Sequence, residues 1–416
     1  MIRLLKYYFP LVSLAFFSCK KSEITVPLIN SDENLIGSKP LTDTVMKNME
    51  GIYSLNGGVE SLGTEFVCKV SKYKLSFFSN NSGIFIILNY GLNTTDSSIQ
   101  FAGFWRYSES KTQGLINFSI AKAEGAAEFL QTGSPSGLII KGILNNGNGE
   151  MQSMQLVFER PFSPYTLHNE FVIFAHHGVQ TTADPPYTEN SLNGAIHDQD
   201  YGVTGLEFDV HLTKDHVPIC AHDASINIRV TDKGPISGNY IQYDFDFLEK
   251  YVVLTDGERI PSLEQVLNAF IDSTTLKYFW MDVKGDPDIF KYMEPIVRNA
   301  YAHAAAVNRE VVIFADLPSQ KVIDEYKNQP TYADLPTMCE LELQDCIDLN
   351  CKYWGPRYSR GLLLDDVEKA HNLGIKAFSW TLNASSIITD YLQNGKFDGF
   401  ITDYPAYVVY DYYTMF

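Results

Sequence analysis

Three short charged runs could do chemistry in this chain: Glu207-Phe-Asp209, Ala221-His222-Asp223 and Asp282-Val-Lys284. Side chains two positions apart on a strand share a face, roughly 6.6–6.8 Å apart along it, so Glu207 and Asp209 converge on one point. That is the geometry of a metal site, and a buried acid pair without a cation is costly. A second titratable cluster ends the apolar run Phe171-Val-Ile-Phe-Ala175, which continues as His176-His177-Gly178. Two histidines with unperturbed pKa values of about 6.5 can trade a proton near neutral pH, one as general acid and one as general base. Chemistry at the C-terminal edge of strands is the habit of parallel α/β folds.

The elements that must position these residues fall into two groups. From about Gly51 to Phe162, short alternating runs (Phe66 to Val70, Gly83 to Leu88, Gly103 to Tyr107, Gly114 to Ser119, Gly137 to Ile143, Gln152 to Phe158) are separated by Gly, Asn and Ser clusters. This pattern predicts an all-β domain over 46–162, a sandwich or a small β-barrel. Trp105 and Tyr107 are read as exposed aromatics through which that domain could contact glycan, although aromatics in such strands are more often simply core. Pro161-Phe-Ser-Pro164 marks a boundary. Beyond it, apolar strands alternate with helical stretches, which predicts an irregular TIM-type (β/α)8 barrel, an α/β fold, over 168–416. Strands are expected near Phe171 to Ala175, Gly205 to Val210, Val217 to Ala221, Tyr278 to Val283, Val311 to Phe314, Thr337 to Leu341, Ile375 to Ser379 and Gly399 to Thr402. Thr213-Lys-Asp-His216 leaves no room for a helix between the second and third of these. The stretch from Ile226 to Arg259 reads as an excursion beside the site.

Residues 1–18 carry Arg3 and Lys6, then an apolar run from Tyr7 to Phe17 that is too short to span a bilayer, and read as a signal peptide. Phe16-Phe-Ser-Cys19 resembles a bacterial lipobox, so Cys19 is the expected site of lipidation and 19–45 a tether behind it. Export to the cell envelope, with the membrane reached only through that anchor, follows from this reading. Cys68, Cys220, Cys339, Cys346 and Cys351 show no C-x-x-C spacing and indicate neither a disulfide framework nor a zinc site. With 50 acidic against 32 basic residues, the formal net charge is −18, which argues against nucleic acid as a partner and against electrostatic attraction to anionic membranes. An acidic chain that handles a phosphodiester needs a cation or a local basic patch.

The motifs Ala175-His-His-Gly178, Thr188-Glu-Asn-Ser191, Gly205-Leu-Glu-Phe-Asp-Val210, Leu212-Thr-Lys-Asp215, Val217-Pro-Ile-Cys-Ala-His-Asp223, Ile260-Pro-Ser-Leu263, Trp380-Thr-Leu-Asn383 and Asp398-Gly-Phe-Ile-Thr-Asp-Tyr-Pro405 occur in that order. Over roughly 170–410 the chain thereby resembles the glycerophosphodiester phosphodiesterases, which are related to phosphatidylinositol phospholipase C. The resemblance implies one divalent metal ion, Ca²⁺ or Mg²⁺, held by Glu207, Asp209 and Asp282. It implies His176 and His222 as catalytic histidines, Lys284 on the phosphate, and Glu189 lining the site; Trp380 is expected to touch substrate at the barrel mouth. The chain departs from the family pattern twice. The family's arginine is replaced by His177, expected to bind phosphate less persistently, and its usual third glutamate ligand by the shorter Asp282.

The leading expectation is hydrolysis of a small glycerophosphodiester to glycerol 3-phosphate and an alcohol through a cyclic phosphate. His176 acts first as base and His222 as acid. Two alternatives stand beside it: a phospholipase D-like phosphodiesterase acting on intact lipid, and an inactive surface lipoprotein that captures glycan.

Overall fold

The computed structural model describes residues 35–416 apart from 73, 80, 146–149, 179–186 and 329–334. The expected signal peptide and Cys19 lie outside the described residues. Strands β1 (Gly51–Leu55), β2 (Glu65–Ser71), β3 (Lys74–Phe78), β4 (Phe85–Asn93), β5 (Ser98–Arg106), β6 (Gln113–Ile120), β7 (Ile139–Asn145) and β8 (Met151–Arg160) form the first domain. Each pairs antiparallel with the next, and β1 pairs with β8, so the sheet closes into a small barrel with no free edge. Close strand approach makes Gly103 necessary, since a Cβ there would collide with the Ile87 carbonyl oxygen on β4. Trp105 corrects an expectation. It is 3% exposed, packed in the core of this barrel with its Nε1 donating to the Asn145 carbonyl, because its position on β5 faces inward. Tyr107 is half-buried and its hydroxyl donates to the Ser61 carbonyl.

The second domain contains β9 (Val172–Ala175), β10 (Gly205–Leu212), β11 (Pro218–Cys220), β12 (Ser225–Ile226), β13 (Gly238–Asn239), β14 (Tyr278–Val283), β15 (Val312–Leu317), β16 (Thr337–Cys339), β17 (Tyr353–Trp354), β18 (Lys376–Ser379) and β19 (Gly399–Thr402). Eight of these run parallel in the cyclic order β9, β10, β14, β15, β16, β17, β18, β19, closing where β19 pairs with β9. The expected strand Val217 to Ala221 is not one of the eight. A five-residue turn permits only a hairpin, so β11 folds back antiparallel on the end of β10, Val210 opposite Cys220. The eighth stave is β17, two residues long and without a readable period.

Helices cover the outside, among them Leu263–Ser273, Ile289–Ala306 and Leu364–Asn372. Ser262 starts the first with a capping box, accepting from the Gln265 amide while the Gln265 side chain accepts from the Ser262 amide. Residues alternate along each stave between this helix-facing layer and the barrel interior. The interior floor is Val172, Phe174, Tyr278, Trp280, Phe314, Met338, Phe378 and Ile401, all buried. Two residues further along β9, β14, β15, β16, β18 and β19, the inward positions become His176, Asp282, Asp316, Glu340, Trp380 and Asp403. On β10 they are Glu207 and Asp209. The barrel is thus a cup with an apolar base and an ionisable rim.

The last helix, Pro405–Met415, lies between the domains. Its Tyr407 and Tyr410 hydroxyls donate to Glu109 and Glu65 of the first domain at 2.8 and 2.9 Å. Lys69 reaches back to the Tyr413 hydroxyl at 3.2 Å and to Glu50 at 3.3 Å.

Candidate active site

β9 delivers His176, and the chain then turns sharply because His177 adopts a left-handed conformation, φ 55°. Gly178 follows with φ 57°, and a Cβ there would enter the ring of Phe208, so only glycine lets the turn sit on β10. The turn stacks the two imidazoles with centroids 3.6 Å apart. It also aims the His177 amide at Glu207 Oε2, 2.8 Å away, and sets the His177 Nδ1 2.6 Å from Asp209 Oδ2.

Asp209 and Asp282 are register partners on the adjacent parallel strands β10 and β14. Lys284 Nζ bridges them, 2.6 Å from Asp209 Oδ1 and 2.5 Å from Asp282 Oδ2. Asn190 pins Asp209 from both sides: its amide donates to Asp209 Oδ2 at 2.7 Å and its carbonyl oxygen accepts from the Asp209 backbone N–H at 2.9 Å. Burial opposes ionisation of Asp209, but His177 and Lys284 hold its carboxyl well below the usual range. Burial, reinforced by Asp209, pushes Glu207 well up. Asp282 rises too, through burial and Asp209, although Lys284 pulls the other way. Burial disfavours a charged His177, yet Asp209 and Glu207 outweigh it and push the ring up to about 10.

Oxygens of Glu207, Asp209 and Asp282 lie within 4.8 Å of one another. Glu207 Oε1 is buried and has no hydrogen-bond partner among the described residues. An orphaned buried carboxylate oxygen beside two further carboxylates fits a cation, and an all-oxygen donor set suits a hard one such as Mg²⁺ or Ca²⁺.

His176 Nδ1 lies 2.6 Å from Asp403 Oδ1, at the end of β19. Asn383 fixes Asp403, donating to its Oδ2 at 2.5 Å and accepting from its backbone N–H at 2.9 Å. A carboxylate can only accept, so Nδ1 of His176 carries the proton in this contact and Nε2 is the free base. Burial and the neighbouring His177 lower the pKa of His176 against the opposing pull of Asp403. His222 follows β11 and stands on the other side of His177, ring centroids 4.9 Å apart. Its Nδ1 is 2.9 Å from Asp223 Oδ1, and its side chain is 42% exposed. His211 supports it from below, with Nε2 3.3 Å from the His222 carbonyl and Nδ1 2.8 Å from Asp286 Oδ2.

Glu189 forms a paired contact with Arg229, which also donates to Asp223 Oδ2 at 2.8 Å. Burial opposes ionisation of Asp223, but Arg229 and His222 draw its carboxyl down to about 2. Trp380 stands on the rim, its Nε1 donating to the Gly355 carbonyl at 2.7 Å. The structure therefore brings His176, His177, Glu207, Asp209, His222, Asp282 and Lys284 into one cluster. Glu189 joins it at the edge through Arg229, and Trp380 stands on the rim beyond β18.

Several residues were not assigned a role from sequence. Asn190, Asn383 and Asp403 sit inside motifs that carried the resemblance, and their partners become visible only once the strands are side by side. Arg229 belongs to none of the eight motifs and is recognisable only by its contacts with Glu189 and Asp223. Asp316 and Glu340 extend the acidic rim, both pushed well up by burial; next in size, Asp282 raises Asp316 and Asp316 raises Glu340. The Asp316 oxygens accept from Trp280 Nε1 at 3.0 Å and the Val283 amide at 2.8 Å. The period-two pattern of β15 and β16 was their available signal.

Residues 176–323 match the sequence profile of the Glycerophosphoryl diester phosphodiesterase family. YhdW of Bacillus subtilis (strain 168), which bears a glycerophosphodiester phosphodiesterase name, is 26% identical over 217 residues, 50% of this chain and 85% of its own length. Among solved structures, a Silicibacter pomeroyi DSS-3 protein named for the same enzyme superposes with a TM-score of 0.47 at 20% identity, over 58% of this chain and 92% of its own. A glycerophosphodiester phosphodiesterase from Parabacteroides distasonis ATCC 8503 gives 0.45 at 20% identity, over 57% and 94%. The profile match starts at His176 and runs through the strands that carry the carboxylate cluster, so residues 176–323 are similar to the Glycerophosphoryl diester phosphodiesterase family.

Proposed function

We propose that the barrel hydrolyses glycerophosphodiesters to glycerol 3-phosphate and an alcohol, with a divalent cation bound by Glu207, Asp209 and Asp282. The observation that supports this most is the placing of two carboxylate-oriented histidines, His176 on Asp403 and His222 on Asp223, around one carboxylate cluster that includes Lys284.

When bound, the cation would neutralise phosphate charge and stabilise the charge that develops during displacement. Lys284 adds a fixed positive charge on the same side. His176, kept neutral by burial, accepts the proton of the glycerol 2-hydroxyl at Nε2 as that oxygen forms its bond to phosphorus. His222 gives a proton to the departing alcohol oxygen as the old P–O bond breaks. Water then attacks the cyclic phosphate, His222 takes its proton, and His176 returns the first proton to the 2-oxygen as the ring opens. The roles reverse and every proton is accounted for. His177 spends Nδ1 on Asp209, which helps to keep its ring cationic, so it braces the carboxylates and offers its Nε2–H to the phosphate.

The test is a panel of glycerophosphodiesters coupled to glycerol 3-phosphate detection, run after EDTA and again with Mg²⁺ or Ca²⁺ restored. Cation-dependent release of glycerol 3-phosphate is the expected result. Activity confined to intact lipid assigns the phospholipase D-like reading instead, and no activity with any substrate or cation overturns the proposal. Export and anchoring through Cys19 belong to the same proposal, supported by the sequence of residues 1–19. Fatty-acid labelling lost in Cys19→Ala checks it.

A further inference from the structure

We infer that Arg357, stacked on Trp380, selects substrates whose leaving alcohol carries an anionic group, a carboxylate or a phosphate. The inference rests on the phosphodiesterase reading above and names the class of alcohol that reading leaves open.

Position is the first reason. Arg357 follows β17, which in the cyclic strand order is four staves from β10 in either direction. Its parallel bridge to Trp380 and the Tyr358 amide's bond to the Trp380 carbonyl at 3.0 Å fix its backbone beside the rim. Eight staves spaced about 4.8 Å apart make a barrel roughly 15 Å across. Arg357 therefore faces Glu207 and Asp209 from the far side of the mouth. A phosphodiester gripped at the carboxylates and Lys284 would extend one of its two substituents toward it.

Its lack of a partner is the second. The rim's other basic side chains are engaged: Lys284 with Asp209 and Asp282, Arg229 with Glu189 and Asp223, and Arg360 with Glu342. Arg357 is exposed, and among the described residues no carboxylate lies within ion-pair distance of it. In a chain with 50 acidic residues, an arginine left unpaired at the mouth keeps a forked donor for something outside the chain.

The aromatic contact is the third. The guanidinium lies 5.4 Å from the Trp380 ring centroid. A tryptophan face is the natural seat for a quaternary ammonium group, and here a cation already occupies it. Choline-type head groups would meet like charge, whereas a carboxylate or phosphate would meet the guanidinium edge.

The experiment compares kcat/KM of wild type and Arg357→Gln on glycerophosphoserine, glycerophosphoinositol 4-phosphate and glycerophosphocholine. The wild type is expected to favour the two anionic substrates at least tenfold, and the variant to lose about tenfold on them, mostly through KM, so that the ratio approaches one. The serine and inositol phosphate arms show whether carboxylate or phosphate is read. A wild type that prefers choline, or a variant that loses equally on all three, overturns the inference. Should no substrate be hydrolysed, the functional reading fails separately, and calorimetric titration with phosphoserine and phosphocholine still decides about Arg357. Tighter phosphoserine binding that disappears in Arg357→Gln supports it, and equal affinities in the wild type overturn it.

Discussion

At the scale of single residues, the two histidines and the acids around them divide the labour. His176→Ala and His222→Ala should each lower kcat by about 10²–10⁴-fold, and calorimetry should still record cation binding in His222→Ala, whose ring lies in neither group of residues that could hold a metal ion. Glu207 behaves differently. Its charge is buried, pushed toward protonation, and has one oxygen without a partner. Glu207→Gln should therefore melt higher than wild type in EDTA. Saturating cation should raise the wild-type melting temperature, equivalent to about 2.7 kcal/mol at a hundredfold excess over Kd, and leave the variant unmoved. Asp403→Asn removes the carboxylate that partly offsets the depression of His176. A base works in its unprotonated form, so activity falls as pH drops through its pKa. Without Asp403 that pKa falls further, and the acidic limb of kcat/KM should move to lower pH while the maximal rate drops.

At the scale of elements, alternation along strands made the fold and the Glu207–Asp209 pair legible, whereas the roles expected of His176, His222, Asp282 and Lys284 came from the resemblance. Glu207 and Asp209 announced themselves because β10 is a single regular strand with apolar residues between them. The outcome differed at β17, where two residues, Tyr353 and Trp354, are too few to show a period, and at β11, whose apolar run resembled a stave although its turn was too short for a crossover. Residues that act by holding another residue were also hidden. Asn190 is such a case, since its role exists only when its loop meets β10. It is 2% exposed and makes two hydrogen bonds to Asp209, so Asn190→Ala should cost about 1–3 kcal/mol in chemical denaturation and weaken cation binding. Trp105 marks the opposite error: an alternating strand says which residues share a face, not which face is the inside of a barrel.

At the scale of the whole molecule, the two barrels are joined by a helix at the very end of the chain, and the site faces away from its floor. Phe174, Trp280, Phe314 and Phe378 pack against one another there, ring centroids 5.1–6.5 Å apart. These rings close the base, so among the described residues the mouth is the doorway for what enters and leaves. The order of traffic follows. In the proposed reaction the alcohol departs before water takes its place opposite the ring phosphorus, and the phosphorylated glycerol, gripped at the carboxylate end, leaves last. Steady-state inhibition should show this queue directly: glycerol 3-phosphate competing with substrate, and the free alcohol inhibiting noncompetitively.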